Sequence, residues 1–340
     1  MCEGGLGNVN WQKEEVVMER TAKQTFSAVG LAFFIYIAVS FVLQMIFSTV
    51  VYSLVDVNNP PSWAMWVSTF VPMYCIAFPI FILLIKRVPA EPFVETKTLN
   101  FPNWLRFFTL TTFGMVAGSL IASFVGRIFE RFNINTNVTM ETLTSTNSAL
   151  APIVLAILAP IVEEFIFRKF LIDRIHVYGG KVAVVTSAAM FALFHGNFSQ
   201  VFYTFLMGLV WGYVYYKTGK VIYTIIMHML VNFGGSVVSV YFLNKLNGVD
   251  TSDIEALLAS PDAMAGVAGI IIYVFILYGL AIAGLICLIL GFKKRSYSQE
   301  RLELPEEGKV ATVCLNVGMI LFLLICAFEF VLSIASGFVG

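Results

Sequence analysis

The chain has 340 residues, of which 59% are hydrophobic and 12% charged. An ordinary soluble domain carries about 25% charged residues, so this composition excludes a water-soluble globular protein, a disordered chain and a collagen-like repeat. Lys plus Arg and Asp plus Glu number 21 each, which leaves no net charge and no basic field to hold nucleic acid.

Taken in chain order, residues 1–25 read as a polar cytoplasmic N-terminus. Glu14, Glu15 and Glu19 there exclude a cleavable signal peptide. A spanning helix needs roughly 20 apolar residues, because the hydrocarbon core is about 30 Å thick. Nine stretches qualify as candidates: 26–54, 64–85, 107–126, 149–173, 182–196, 199–216, 221–243, 264–292 and 310–338. The expected fold is all-α, a polytopic transmembrane helix bundle of about nine spans. The count becomes eight if the fifth or sixth is re-entrant. Those two are short, and Gly196-Asn197-Phe198-Ser199 between them predicts a tight helical hairpin. Pro72 and Pro79 in the second span are expected at kinks, which membrane helices tolerate.

With the N-terminus inside, the outer segments hold only Arg127, Arg131 and Lys245, so 18 of the 21 basic residues face the cytoplasm. That asymmetry predicts an N-in orientation and, with nine spans, a C-terminus outside. The chain then divides into the N-terminus, the first two spans with a cytoplasmic loop (26–106), a core over 107–243, and an outer loop with the last two spans (244–340). The five cysteines show no CxxC spacing, and most, lying in apolar runs, read as small buried hydrophobes. The sequons Asn137-Val138-Thr139 and Asn197-Phe198-Ser199 matter only in a eukaryotic secretory route.

An ionisable group at mid-membrane costs roughly 2.5–3.5 kcal/mol on insertion scales, so such groups carry the information. The fourth span holds Glu163-Glu164-Phe165-Ile166-Phe167-Arg168. Glu164 and Arg168 share a helix face and can pair. Glu163 points about 100° away and is the freer acid, suited to a general base. The blander reading is an interfacial salt-bridge cluster. The fifth span holds Phe191-Ala192-Leu193-Phe194-His195, where a single histidine is often a packing residue. The seventh span holds His228-Met229-Leu230-Val231-Asn232, two donors on one face that could equally be an interhelical hydrogen-bond pair. Three such groups in three neighbouring spans point to a shared polar cavity. Glu329 in the last span belongs to no motif and is assigned no catalytic role.

The order EExxxR, FxxxH, HxxxN resembles the CPBP intramembrane protease family, which includes type II CAAX prenyl endopeptidases, Abi bacteriocin-processing and self-immunity proteins, and lysostaphin-resistance-like proteins. The matching residues are Glu163, Glu164 and Arg168, then Phe191 and His195, then His228 and Asn232. The resemblance implies a protease core over 107–243 and hydrolysis of a peptide bond in a membrane-associated protein or peptide. It implies that Glu163 and His195 activate water, that His228 and Asn232 hold the oxyanion, and that Glu164, Arg168 and Phe191 support them. It is compatible with a zinc enzyme that uses Glu163, His195 and His228 as ligands, and with a metal-free glutamate mechanism on the same residues. The expected location is a bacterial cytoplasmic membrane. Other intramembrane proteases fit poorly. No HExxH occurs, Gly234-Gly235-Ser236-Val237 is not GxSG, and no paired intramembrane aspartates are present. A non-catalytic membrane binding or immunity protein, a scaffold, and a proton-coupled transporter using Glu163 as a relay are the competing classes.

Overall fold

Hydrocarbon offers no partner to a backbone amide, so a chain this apolar must satisfy its amides internally, which favours helix. The computed structural model describes residues 7–91, 93, 96–136, 150–251, 253–291 and 302–338, and these are overwhelmingly helical. The helices are α1 (Gly7–Ser53), α2 (Ser62–Ile85), α3 (Phe101–Glu130), α4 (residues 150–178), α5 (Gly180–Phe194), α6 (Val201–Thr218), α7 (Ile222–Asn244), α8 (Ile254–Ala259), α9 (Pro261–Gly291), α10 (Lys309–Cys314) and α11 (Val317–Ser336). Extended pairing among the described residues is limited to one isolated bridge, Ile134 with Phe338. The first sequon lies outside the described residues.

Among the described residues six segments are long and apolar enough to cross a membrane: Ala22–Ser53 of α1, α2, α3, α7, α9 and α11. The chain is therefore a multi-pass membrane protein. These six coincide with the first three and last three expected spans. The other three expected spans are α4, α5 and α6. α5 is only 15 residues long. α4 is a relay of short α and π turns that runs on to Tyr178 and stops at Gly179, whose φ of 124° an L side chain rarely adopts. In α2 the turn Val71–Ala77 containing Pro72 is π-helical, which widens the helix where the proline cannot donate.

Contacts divide the chain into two units. The first comprises residues 1–93, 170–186 and 297–329. Here α1 and α11 touch backbone to backbone. A Cβ on Gly318 would run into the Ser27 carbonyl, and one on Gly30 into the backbone of Gly318 and Met319. Small residues permit this approach, which membrane helices use because apolar burial gives no net drive in lipid. Phe33 packs edge-on against Phe81 and Phe322. Arg174 donates through Nε to the Ile85 carbonyl at 2.8 Å and so caps α2. His176 is buried, with Nε2 2.6 Å from the Glu91 carbonyl oxygen and its ring stacked on Phe93.

The second unit comprises residues 94–169, 187–296 and 330–340. α3 packs along both α6 and α9. Gly118 admits the Tyr203 backbone, and Gly284 admits the Thr109 carbonyl. The expected hairpin is formed by α5 and α6, which touch where Gly208 meets Ala188. α7 packs against the stretch 154–164 of α4, and this crossing brings the motif residues together.

Candidate active site

The acidic segment is short and set between irregular turns. Val154–Leu158 is π-helical, Ala159–Glu164 is α-helical, and Phe165–Phe170 is π-helical again. Pro160 supplies a local reason for the first widening. In the π turn the Ala159 amide donates to the Val154 carbonyl, one residue further back than in an α-helix. The Leu155 carbonyl then looks to residue 160 for a donor, and proline has none. The Asn232 side chain supplies it, donating through Nδ2 at 2.9 Å. The proline thus leaves an orphan acceptor in α4, and an amide on α7 satisfies it.

Glu164 and Arg168 are both fully buried. Arg168 Nη2 donates to Glu164 Oε1 at 3.3 Å, and its Nε lies 3.1 Å from Oε2 as an ion-pair contact without hydrogen-bond alignment. Arg168 Nη1 donates to Ser187 Oγ at 2.9 Å, and Ser187 donates in turn to the Phe167 carbonyl at 2.7 Å. The guanidinium also lies 4.8 Å from the Phe191 ring centre and 5.7 Å from that of Trp211. An isolated buried ion would be costly, and these contacts offset that cost for Arg168.

His228 links the two acids. Its Nδ1 is 3.1 Å from Glu164 Oε1, within hydrogen-bond reach, and a carboxylate there accepts from an Nδ1–H. Its Nε2 is 3.7 Å from Glu163 Oε2, which is within charge range and beyond a direct hydrogen bond. Two carboxylates share one guanidinium, so the charge left over falls to Glu163 and the imidazole beside it. The Glu163 side chain keeps 13% of its surface accessible, against none for Glu164. The pair is therefore split into a braced acid and an accessible one.

His195 sits just beyond the end of α5. Its Nδ1 lies 2.8 Å from the Phe191 carbonyl oxygen, and because a carbonyl only accepts, Nδ1 carries the proton and Nε2 keeps a lone pair. The turn that follows is held by Asn197, only 2% exposed. Its Nδ2 donates to the His195 carbonyl and to Gln200 Oε1, both at 2.7 Å, and its Oδ1 accepts from Ser199 Oγ and the Gln200 amide. An amide so enclosed is closed to glycosylation in the folded chain, and the second sequon is a turn-former.

The structure thus brings Glu163, Glu164, Arg168, Phe191 and His228 into one linked cluster, while Asn232, one turn beyond His228 on α7, bonds to the Leu155 carbonyl. His195 joins the cluster through Phe191, whose ring is edge-on to both His195 and His228. Sequence reasoning missed Ser187, Trp211 and Thr111, and read Asn197 only as a turn and sequon residue. Ser187 lies one turn before Phe191 and Asn197 two residues after His195, so proximity to a motif was an available signal. Nothing in sequence marks Thr111, 100 residues from its partner. A zinc site built on Glu163, His195 and His228 does not fit this arrangement. Among the described residues no three His, Cys, Asp or Glu side chains are grouped so that they could hold a metal ion.

A multi-pass helical membrane protein with a buried glutamate–arginine–histidine cluster is the class that fold and site define. Residues 145–234 match the family model described as type II CAAX prenyl endopeptidase Rce1-like, and that stretch contains all seven motif residues. No curated protein and no solved structure matches the chain.

Proposed function

We propose that this protein is a membrane-embedded endopeptidase of the CAAX-processing type, with its core over 107–243, cutting a peptide bond in a membrane-associated protein tail or peptide. The family match over 145–234 carries this reading. The accessible carboxylate of Glu163 beside the braced Glu164–Arg168 pair supports it chemically.

In this mechanism Glu163 takes a proton from a water molecule as its oxygen attacks the scissile carbonyl carbon. The Nε2 lone pair of His195 accepts a hydrogen bond from the same water and orients it. The carbonyl π bond opens to an oxyanion, which accepts from the Asn232 amide hydrogen not used on Leu155 and from Nε2–H of His228, which in this mechanism is an imidazolium with its Nδ1–H held by Glu164. Glu163 then returns its proton to the leaving amine as the C–N bond breaks. Donors fixed before the charge develops cost little reorganisation, and losing one such donor costs about 10²–10³ in rate. Glu164, held by Arg168, fixes the His228 ring through Nδ1.

The experiment is cleavage of a prenylated, carboxyl-terminal CAAX peptide by the full chain in proteoliposomes, compared with Glu163→Gln. Cleavage lost in a normally folded Glu163→Gln protein is expected. No cleavage by the unaltered chain overturns the reading and favours a binding or immunity role, and cleavage that persists in Glu163→Gln removes Glu163 as the base. Orientation with the N-terminus inside a bacterial cytoplasmic membrane belongs to the same proposal, and protease access to residues 1–25 from one side tests it.

A further inference from the structure

We infer that Trp211 and Thr111 form a positioning device for His228, in which Thr111 fixes the indole and the indole fixes the plane of the imidazole. The inference rests on the proposed role of His228 and extends it to two residues outside the motifs.

Trp211, in α6, is fully buried. Its ring lies against His228 at a centroid distance of 4.4 Å and an interplanar angle of 28°, a stacked contact. Its Nε1–H donates to Thr111 Oγ1 of α3 at 3.1 Å. The direction of that bond is settled by the indole, whose nitrogen can only donate. Thr111 Oγ1 can place its single hydrogen on the Phe107 carbonyl one turn back at 3.0 Å or on Met227 Sδ at 4.0 Å, and either way a lone pair is open to the indole. Thr111 is also fully buried, and no water competes for either group.

The His228 ring is therefore fixed in two independent ways. Its Nδ1 edge is tied to Glu164, which still permits rotation about that contact. The stacked face of Trp211 removes the rotation, and Phe191 closes another side edge-on at 5.8 Å. With the ring plane set, Nε2 has one direction left, toward Glu163. The indole also lies near the Arg168 guanidinium, so one side chain contacts both ends of the His228–Glu164–Arg168 chain. Hydrophobic packing alone would need an apolar residue at 111. A hydroxyl aimed at the indole nitrogen adds orientation.

The test uses the full chain in proteoliposomes and the same prenylated CAAX peptide. Thr111→Val keeps the shape and removes the acceptor. It is expected to lower kcat about tenfold with KM within about twofold, since a small misplacement of a reacting group can cost as much as about a hundredfold. Thr111→Ser restores the acceptor and is expected to restore kcat. Trp211→Leu is expected to lower kcat further.

A second readout does not depend on cleavage. The chain has three histidines, so the His228 Cε1–H resonance can be assigned by substitution of the other two. Its ring-current shift from the indole should persist in Thr111→Ser, shrink in Thr111→Val and vanish in Trp211→Leu. Unchanged kcat in Thr111→Val overturns the inference whether or not the resonance moves. Equal loss of kcat in Thr111→Val and Thr111→Ser also overturns it, because the hydroxyl would then not be what matters. The two readings separate cleanly. Absence of cleavage by the unaltered chain overturns the protease reading, while cleavage lost in Glu163→Gln and kept in Thr111→Val overturns only the positioning role.

Discussion

Glu164 and Glu329 are both glutamates in apolar helices, and the fold treats them in opposite ways. Around Glu164 stand Arg168, His228 and, one bond further, Ser187, each with a defined contact. Around Glu329 of α11 there is little. Its Oε2 is buried with no hydrogen-bond partner among the described residues, and Cys326, one turn earlier, is a buried thiol. The contrast teaches that intramembrane acid is not by itself the mark of a site. The mark is an acid whose partners come from separate helices, because such convergence must be built at a cost in packing. Glu163 adds the second half of the lesson. Beside a braced acid, an accessible one is available for chemistry.

Four substitutions break or sharpen that contrast. The largest effect belongs to Glu163→Gln, expected to lower peptide cleavage by about 10²–10⁴-fold, the range of a lost general base. The thermal midpoint in detergent should stay near that of the unaltered protein, and a parallel collapse in stability would show that Glu163 is structural.

Arg168→Leu comes next. It strands Glu164 as an uncompensated buried charge, and a loss of about 3–5 kcal/mol is expected in reversible unfolding. The double variant Glu164→Leu with Arg168→Leu should recover most of that loss, since replacing a whole buried pair by apolar groups is often close to neutral. Failure of the double variant to recover would mean that the pair holds the helices together in some further way.

Ser187→Ala removes a hydrogen bond to a charged group, for which about 1.5–3 kcal/mol is usual. Unfolding measurements should also show that this loss shrinks in an Arg168→Leu background to what the bond from Ser187 to the Phe167 carbonyl contributes. Smallest of all is Glu329→Gln, expected to leave cleavage unchanged and stability within about 0.5 kcal/mol, as for most substitutions away from built networks. A large drop in cleavage there would erase the distinction between the two acids.

Much of this molecule can be read from sequence, for reasons that differ by region. The long helices follow from hydrocarbon thickness, and six of the expected spans meet the length and apolarity it demands. α4, α5 and α6 are harder. α5 is apolar but only 15 residues long, and α4 is broken into short α and π turns, so the region of greatest interest gives the weakest spanning signal. The hairpin at 195–200 was legible from Gly196 and Asn197. Glu164 with Arg168 was legible from helical spacing alone, whereas His228 and Asn232, read as donors on one face, bond to separate partners, Glu164 and the Leu155 carbonyl. The two π turns of α4 were not legible, since they depend on whether Pro160 can be accommodated and on what α7 offers in exchange. Trp211 was illegible for a related reason, because an indole in an apolar helix looks like filling until its nitrogen has a partner.

The missing amide hydrogen of Pro160 links two helices as a lock and its key. A Pro160→Ala variant would offer the Leu155 carbonyl a backbone donor of its own, and Asn232 would lose the contact that fixes its rotamer. The expected outcome is a helix that gains local regularity while cleavage falls, with Pro160→Ala and Asn232→Ala non-additive in a double-mutant cycle. In that sense the proline is a deliberate vacancy in the backbone ladder, one that makes the most orderly version of α4 the wrong one for chemistry.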